Sequence, residues 1–320
     1  MVMVQFVLRH PKEGDEEALG KLDRVFRRLF LYHGDFEREN MLLAVGSGMD
    51  GASQEILGAG CFLPHETFHC LHHLPERDPG FLYHLDFSLC SRFPRGEEDS
   101  AVKQALLQGL IDRAGQIQFQ YPGKRIVLSQ YHDADDLEGL SFLLKRGFGV
   151  YDTIVKFRYD LSKEIPAFPL PEGVELRPYR PDTAELLEAF HQLETAAFDG
   201  AAWSINHLRW MMGGEDALCF GAFCGEKLIA NVCTWSASGE EGVTENIFAS
   251  PDWQGRGLTQ CVISQALGYL KGRGKRWATL GTHGPNRRAI RLYSRLGYEP
   301  DGFRLVIGYE LNGRKPHRAG

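Results

Sequence analysis

No apolar run in this 320-residue chain approaches the about 20 residues that a membrane-spanning helix needs. The opening MVMVQFVLRHPKEGDEE has neither the basic nor the apolar section of a secretory leader. Its seven cysteines are odd in number, scattered, and never spaced as CxxC. That pattern excludes a disulfide scaffold and a cysteine-rich zinc module, and fits reduced thiols in a cytoplasmic protein. What is present is ordinary globular composition, 43% apolar and 24% charged, in a length suited to two domains. The net charge of −6 hides an asymmetry. From Gln254 onward thirteen Lys and Arg face three acidic residues, about +10, which leaves about −16 for the first 253 positions. A basic segment on an acidic protein suits a local anionic ligand and opposes nucleic acid as a partner, although solvated helix faces explain many such charges.

The two halves resemble each other. Phe142-Leu143-Leu144-Lys145-Arg146-Gly147-Phe148 lies 150 positions before Leu292-Tyr293-Ser294-Arg295-Leu296-Gly297-Tyr298. The same offset relates Tyr159-Asp160-Leu161 to Tyr309-Glu310-Leu311. Between the halves, residues 162–173 hold three prolines and no periodicity, the mark of a semi-rigid linker. A whole-domain duplication is expected, with domains over 1–163 and 172–320.

Periodicity in the second half predicts a strand over 174–177 and a helix over 182–198. Paired strands follow over 218–224 and 227–235 around the Gly225-Glu226 turn, then a strand over 242–249. A helix over 258–270, a strand over 277–281, a helix over 286–296 and a strand over 303–311 complete the order β-α-β-β-β-α-β-α-β. The sharpest feature is Ile247-Phe248-Ala249-Ser250-Pro251-Asp252-Trp253-Gln254-Gly255-Arg256-Gly257-Leu258-Thr259, a strand, a loop with two glycines and a helix start. Backbone N–H groups at a helix N-terminus, approached closely because glycine has no Cβ, cradle an anion such as a diphosphate. Alone, Gly-x-Gly before a helix is more often a plain turn. It is no Walker loop, for no Lys-Ser/Thr follows, and no dinucleotide fingerprint, for the third glycine is absent.

Pro251 with Gln254-Gly255-Arg256-Gly257-Leu258-Thr259, followed by Asn286, Ala289, Leu292, Tyr293, Gly297 and Tyr298, resembles the two signature blocks of the GNAT superfamily of N-acetyltransferases. Thr259 departs from the family's small residue. The resemblance implies an α/β fold of two tandem GNAT-like domains, each a mixed, mostly antiparallel sheet flanked by helices. The arrangement is similar to that of mycothiol synthase-like proteins. It implies acetyl-CoA as co-substrate, an amine of a small molecule or peptide as acceptor, no metal, and a monomer or homodimer. Carried over residue by residue, the cofactor site comprises Ile247, Phe248, Ala249, Gln254, Gly255, Arg256, Gly257, Leu258, Thr259, Asn286 and Arg288.

Asn286 and Tyr293 stand seven residues apart, two helical turns, so one extended ligand can touch both. By the resemblance Tyr293 is the general acid at the CoA sulfur; as a residue alone it reads more readily as a core aromatic. Glu245 is the candidate general base, and His283, just past the next strand, competes with it. Strand alternation puts Glu245 and Ile247 on one face and Asn246 and Phe248 on the other. Residues 198–212 line an acceptor pocket or cap the core.

In the first half no Gly-x-Gly follows the strand over 81–89. Glu97, Glu98 and Asp99 sit where phosphates would bind, and Asp136 and Leu143 replace Asn286 and Tyr293. It is expected to be a degenerate copy that binds no CoA. His65-Glu66-Thr67-Phe68-His69, with His72 and His73 nearby, matches the HExxH zinc-protease pattern. Pro64 and Pro75 confine any helix there to about ten residues, so a loop is expected rather than a metal site or a protease. A non-catalytic acyl-CoA sensor is the rival to an enzyme.

Overall fold

The computed structural model describes residues 4–47, 54–65, 81–120, 125–198 and 202–311. They form two compact units. One holds the described residues up to Tyr151 together with those from Val306, and the other runs from Asp152 to Leu305. The units therefore divide inside strands, whereas the proline-rich stretch suggested a boundary at 163–172. That stretch is irregular, but it lies wholly within the second unit.

In the first unit, β1 (Phe6–Arg9), α1 (Glu16–Leu22) and α2 (Arg24–Tyr32) precede β2 (Met41–Ser47), β3 (Gln54–His65) and β4 (Phe81–Ser91). Then come α3 (Glu97–Gln120), β5 (Arg125–Asp133), α4 (Leu137–Leu144) and the start of β6 (Gly149–Asp160). Neighbours from β1 to β4 are antiparallel, and β4–β5 is parallel. Val102 and Leu106 of α3 pack on Ala44 of β2.

The second unit continues with β7 (Val174–Tyr179), α5 (Ala184–Ala197), α6 (Ile205–Met212), β8 (Leu218–Cys224), β9 (Lys227–Ser236) and β10 (Glu241–Ala249). It ends with α7 (Leu258–Gly272), β11 (Trp277–His283), α8 (Arg287–Leu296) and β12 (Glu299–Glu310). Its strand order is β12, β6, β11, β10, β9, β8, β7. The β10–β11 pair is parallel, and β6–β11, β9–β10, β8–β9 and β7–β8 are antiparallel. Alternation along β8 and β9 sends Cys219, Phe223 and Cys233 to a core under α5 and α6, and Phe220, Ala222 and Val232 to a core under α7.

The 150-residue offset holds in atomic contacts. Phe148 packs on Tyr309, and Tyr298 on Tyr159, each pair with centroids 5.4 Å apart. Leu311 N–H donates to Ile126 C=O, and Leu161 N–H to Arg276 C=O, both at 3.0 Å. Within each unit, the tyrosine comes from the chain segment that closes the other sequence copy. Residues 152–160 are a strand of the second unit, on β11, and residues from Val306 belong to the first. Among the described residues, no helix is long and apolar enough to cross a membrane.

Candidate active site

Strands β10 and β11 pair only at Glu241–Trp277, Gly242–Ala278 and Val243–Thr279, and part beyond them. Past that point β10 bulges. Glu245 stands opposite Cys233 and Phe248 opposite Asn231, so two β10 residues face one on β9. Asn246 absorbs the extra residue at φ +48°. The bulge corrects the simple alternation. Phe248 joins Cys233 in the core under α5 and α6, on Glu245's face, while Ile247 packs with the opposite cores. Tyr293 lies in the α7/α8 core. Glu245 and Tyr293 therefore flank the parted strands from opposite faces of the sheet.

The loop after β10 runs into α7 through Gly255 and Gly257, both at φ +79°, where side chains are strained. Gly257 is the N-cap of α7 and supplies no side-chain cap, so the helix's first N–H groups lack a side-chain acceptor. A Cβ on Gly255 meets nothing within 4 Å, and one on Gly257 meets only Gln260 Oε1 at 3.6 Å. Gln254 donates to Ala249 C=O (3.3 Å) and accepts from Arg288 Nη1 (2.7 Å), which fixes that arginine beside the loop. The Arg256 guanidinium lies 4.8 Å over the Trp253 ring. Leu258 is buried in the core as an anchor of α7, and Thr259 follows it in the first turn. Asn286 is the N-cap of α8, accepting from Ala289 N–H at 3.1 Å, and so lies just outside the helix expected to include it.

Burial raises the Glu245 carboxyl to about 7 against the pull of Arg304. Burial also lifts the Tyr293 phenol above its usual range. His283 Nδ1 bonds Asp152 Oδ2 at 2.8 Å at the end of β11. Glu194 of α5, which sequence reasoning passed over, is wholly buried and raised to about 8, by burial and by the charge of Glu245. Its signal was legible: it follows Leu187 and Phe190 on the helix's apolar stripe. In residues 198–212, Leu208, Met211 and Met212 are core, while Trp203 packs at its edge, its ring 4.6 Å from that of His207.

A family model described as Acetyltransferase (GNAT) family matches residues 183–298, which contain the Gly255/Gly257 loop, the bulge and α8. Residues 183–298 are a GNAT acetyltransferase domain. Among curated relatives, an uncharacterised N-acetyltransferase of Methanocaldococcus jannaschii is 28% identical over 118 residues, 35% of this chain and 52% of that protein. A mycothiol acetyltransferase of Thermobispora bispora is 28% identical over 170 residues, 48% of this chain and 57% of that protein. The matched stretch thus spans about half the length of these relatives. Among solved structures, a GCN5-related N-acetyltransferase from Sphaerobacter thermophilus has a TM-score of 0.62 at 19% identity, covering 95% of both chains. A tandem GNAT protein from the clavulanic acid biosynthesis pathway has a TM-score of 0.65 at 15% identity, covering 97% of this chain and all of that one. The fold is a pair of tandem GNAT-like domains, mixed α/β with flanking helices.

The first copy keeps the strand geometry and has no two-glycine loop before α3. Its parallel β4–β5 pairs end at Ser129, 150 positions before Thr279. Glu97, Glu98 and Asp99 fill the first turn of α3. Arg95 of the loop is committed to Asp136 at 2.8 Å, and Asp99 to Lys103 at 3.0 Å. Asp136 caps α4 through Gly139 N–H, as Asn286 caps α8. In the HExxH segment Glu66, Thr67, Phe68 and His69, with His72 and His73, lie outside the described residues.

Proposed function

We propose that the second unit transfers an acetyl group from acetyl-CoA to the amine of a small molecule or peptide, by direct attack in a ternary complex. The observation that carries this reading is the parting of β10 and β11 beside the Gly255/Gly257 loop, with Glu245 and Tyr293 on opposite faces of the opening. Gly255, Gly257, Leu258 and Thr259 present backbone N–H groups to the diphosphate, with Arg256 and Arg288 supplying positive charge. Gln254 braces the loop. Past the bulge, the β10 edge at Ile247, Phe248 and Ala249 offers its backbone to the pantetheine amides, and Asn286 to the arm beyond.

An ammonium acceptor must lose a proton before its nitrogen can attack. Glu245, near 7, is ionised in part at neutral pH and basic enough to take that proton. Tyr293 keeps its own proton at any working pH and gives it to the departing sulfur, which leaves as a thiol. Trp203, at the edge of the α5/α6 core, lines the acceptor side. One acetyl-CoA binds per chain, in the second unit, because the first copy fills its cradle with carboxylates.

An acceptor screen with acetyl-CoA, reading free thiol, tests the assignment. Thiol release with at least one amine, lost in Tyr293→Phe, is the expected result. Acetyl-CoA binding without transfer to any class of amine would leave the chain a sensor.

A further inference from the structure

Trp203 is tied to α5 by both polar groups of its own backbone. Its N–H donates to Glu194 Oε2 at 3.2 Å, and its C=O accepts from His191 Nδ1 at 3.1 Å. A carbonyl only accepts, so the His191 ring carries a proton on Nδ1. His191 and Glu194 stand three residues apart on α5 and therefore share a side of the helix. Ser204, the next residue, caps α6 by accepting from His207 N–H at 3.0 Å. Trp203 is thus the joint between the two helices, held to one and leading into the other.

The hold also fixes the indole. Its ring lies 4.6 Å from that of His207, edge to face, and His207 lies 5.6 Å from Trp210. Trp203 is half-buried and packs against the core that contains Phe248 and Cys233, and Cys233 stands opposite Glu245. The indole therefore lies on the Glu245 face of the sheet. Around it the edge of that core is apolar and aromatic, with Phe198 and Ile205 as neighbours in the same rim. An acid on the buried stripe of α5 is costly. Glu194 has 0% of its surface exposed, beside Leu187 and Phe190, and its Oε1 is buried without a partner. Leucine would pack there without that cost, so packing alone does not call for an acid. What the acid adds is the bond to Trp203.

We propose that the Trp203–His207 pair is the acceptor subsite for the aromatic part of an arylalkyl amine, and that His191 and Glu194 are positioning residues that hold it in place. The proposal rests on the acyl-transfer reading above and names the class of acceptor. An aromatic ring packs edge to face or offset on an indole, and an indole already fixed loses little freedom when a ligand arrives. The amine end then points toward the carboxylate of Glu245, on the same face.

The test is 19F NMR of full-length protein labelled with 5-fluorotryptophan, with the Trp203 signal identified by its loss in Trp203→Phe. Phenethylamine is expected to move that signal to saturation, and ethylamine at the same concentration to leave it in place. Glu194→Gln keeps an oxygen for Trp203 N–H and binds phenethylamine as the wild type does. Glu194→Leu suits the apolar site but removes that oxygen; it weakens phenethylamine about tenfold in calorimetry and leaves acetyl-CoA affinity unchanged. Added to Trp203→Ala, it costs nothing further, because it acts through Trp203. Should Glu194→Leu fail to fold, His191→Leu, which removes the other bond, takes its place in the same comparison. A Trp203 signal that phenethylamine does not move, equal losses in the Leu and Gln variants, or a further loss on top of Trp203→Ala overturns the proposal. Phenethylamine bound at Trp203 by a protein that acetylates no amine would uphold the subsite and sink the transferase reading. Transfer to other amines with the Trp203 signal unmoved would do the reverse.

Discussion

Glu194 and Glu245 tie stability to pH at the residue scale. Both are raised from 4.5, to about 8 and about 7, so the native state holds more protons than the unfolded chain between those values. Their contribution is complete below about 4.5 and is lost as pH rises through 7 and 8. Glu194→Gln removes its share, so its stability relative to wild type rises between pH 5 and 9 by on the order of a few kcal/mol. Denaturant unfolding at several pH values reads this, and a difference independent of pH would contradict it. A Cβ at Gly257 meets only Gln260 Oε1, and Gly257→Val adds a strain of about 1–2 kcal/mol at φ +79°, so the fold is expected to survive while acetyl-CoA binding vanishes in calorimetry. Tyr293→Phe keeps the ring's contacts with Phe157 and Tyr298. It lowers kcat by roughly 10²–10⁴ with little change in acetyl-CoA affinity; a fully active variant would return Tyr293 to the core.

At the scale of elements, the bulge in β10 decides what the strand presents. Without Asn246, Glu245, Ile247 and Phe248 would stand opposite Cys233, Val232 and Asn231 in unbroken register, each on its present face. Asn246 instead holds a left-handed φ and a buried Nδ2 without a partner, two local costs that packing does not require. Deleting Asn246 is therefore expected to leave the melting temperature unchanged or higher and to abolish turnover, because β10 regains a straight edge along β11. A deletion variant with full activity would show that the opening does not depend on the bulge.

For the whole molecule, the exchange of strand segments governs where the chain can be cut. Within residues 152–160, Ile154–Asp160 pair with β11 from His283 to Trp277. A fragment over 172–320 lacks them and exposes that edge, whereas 152–320 retains it. The longer fragment is expected to unfold cooperatively and bind acetyl-CoA, and the shorter one to aggregate or bind weakly, by thermal unfolding and calorimetry. A stable, binding-competent 172–320 fragment would make the linker the true boundary. This differs from a cut at residue 163, which the proline-rich stretch alone favours.

The sequence by itself determined the repeat and the two-glycine loop, because both rest on local requirements. Gly255 and Gly257 are legible since a left-handed turn demands glycine, and the pairs Gly147/Gly297 and Tyr159/Tyr309 hold their spacing of 150. The helix and strand periods of 258–270 and 227–235 came from burial on one face, which chain order records directly. Tertiary structure alone decided three things. The face of Phe248 depends on one inserted residue that no period reveals. The unit to which 152–160 belongs depends on a partner strand more than 110 positions away. The charge state of Glu194 depends on Glu245 and an apolar shell drawn from distant elements, and a carboxyl's proton follows its surroundings in space.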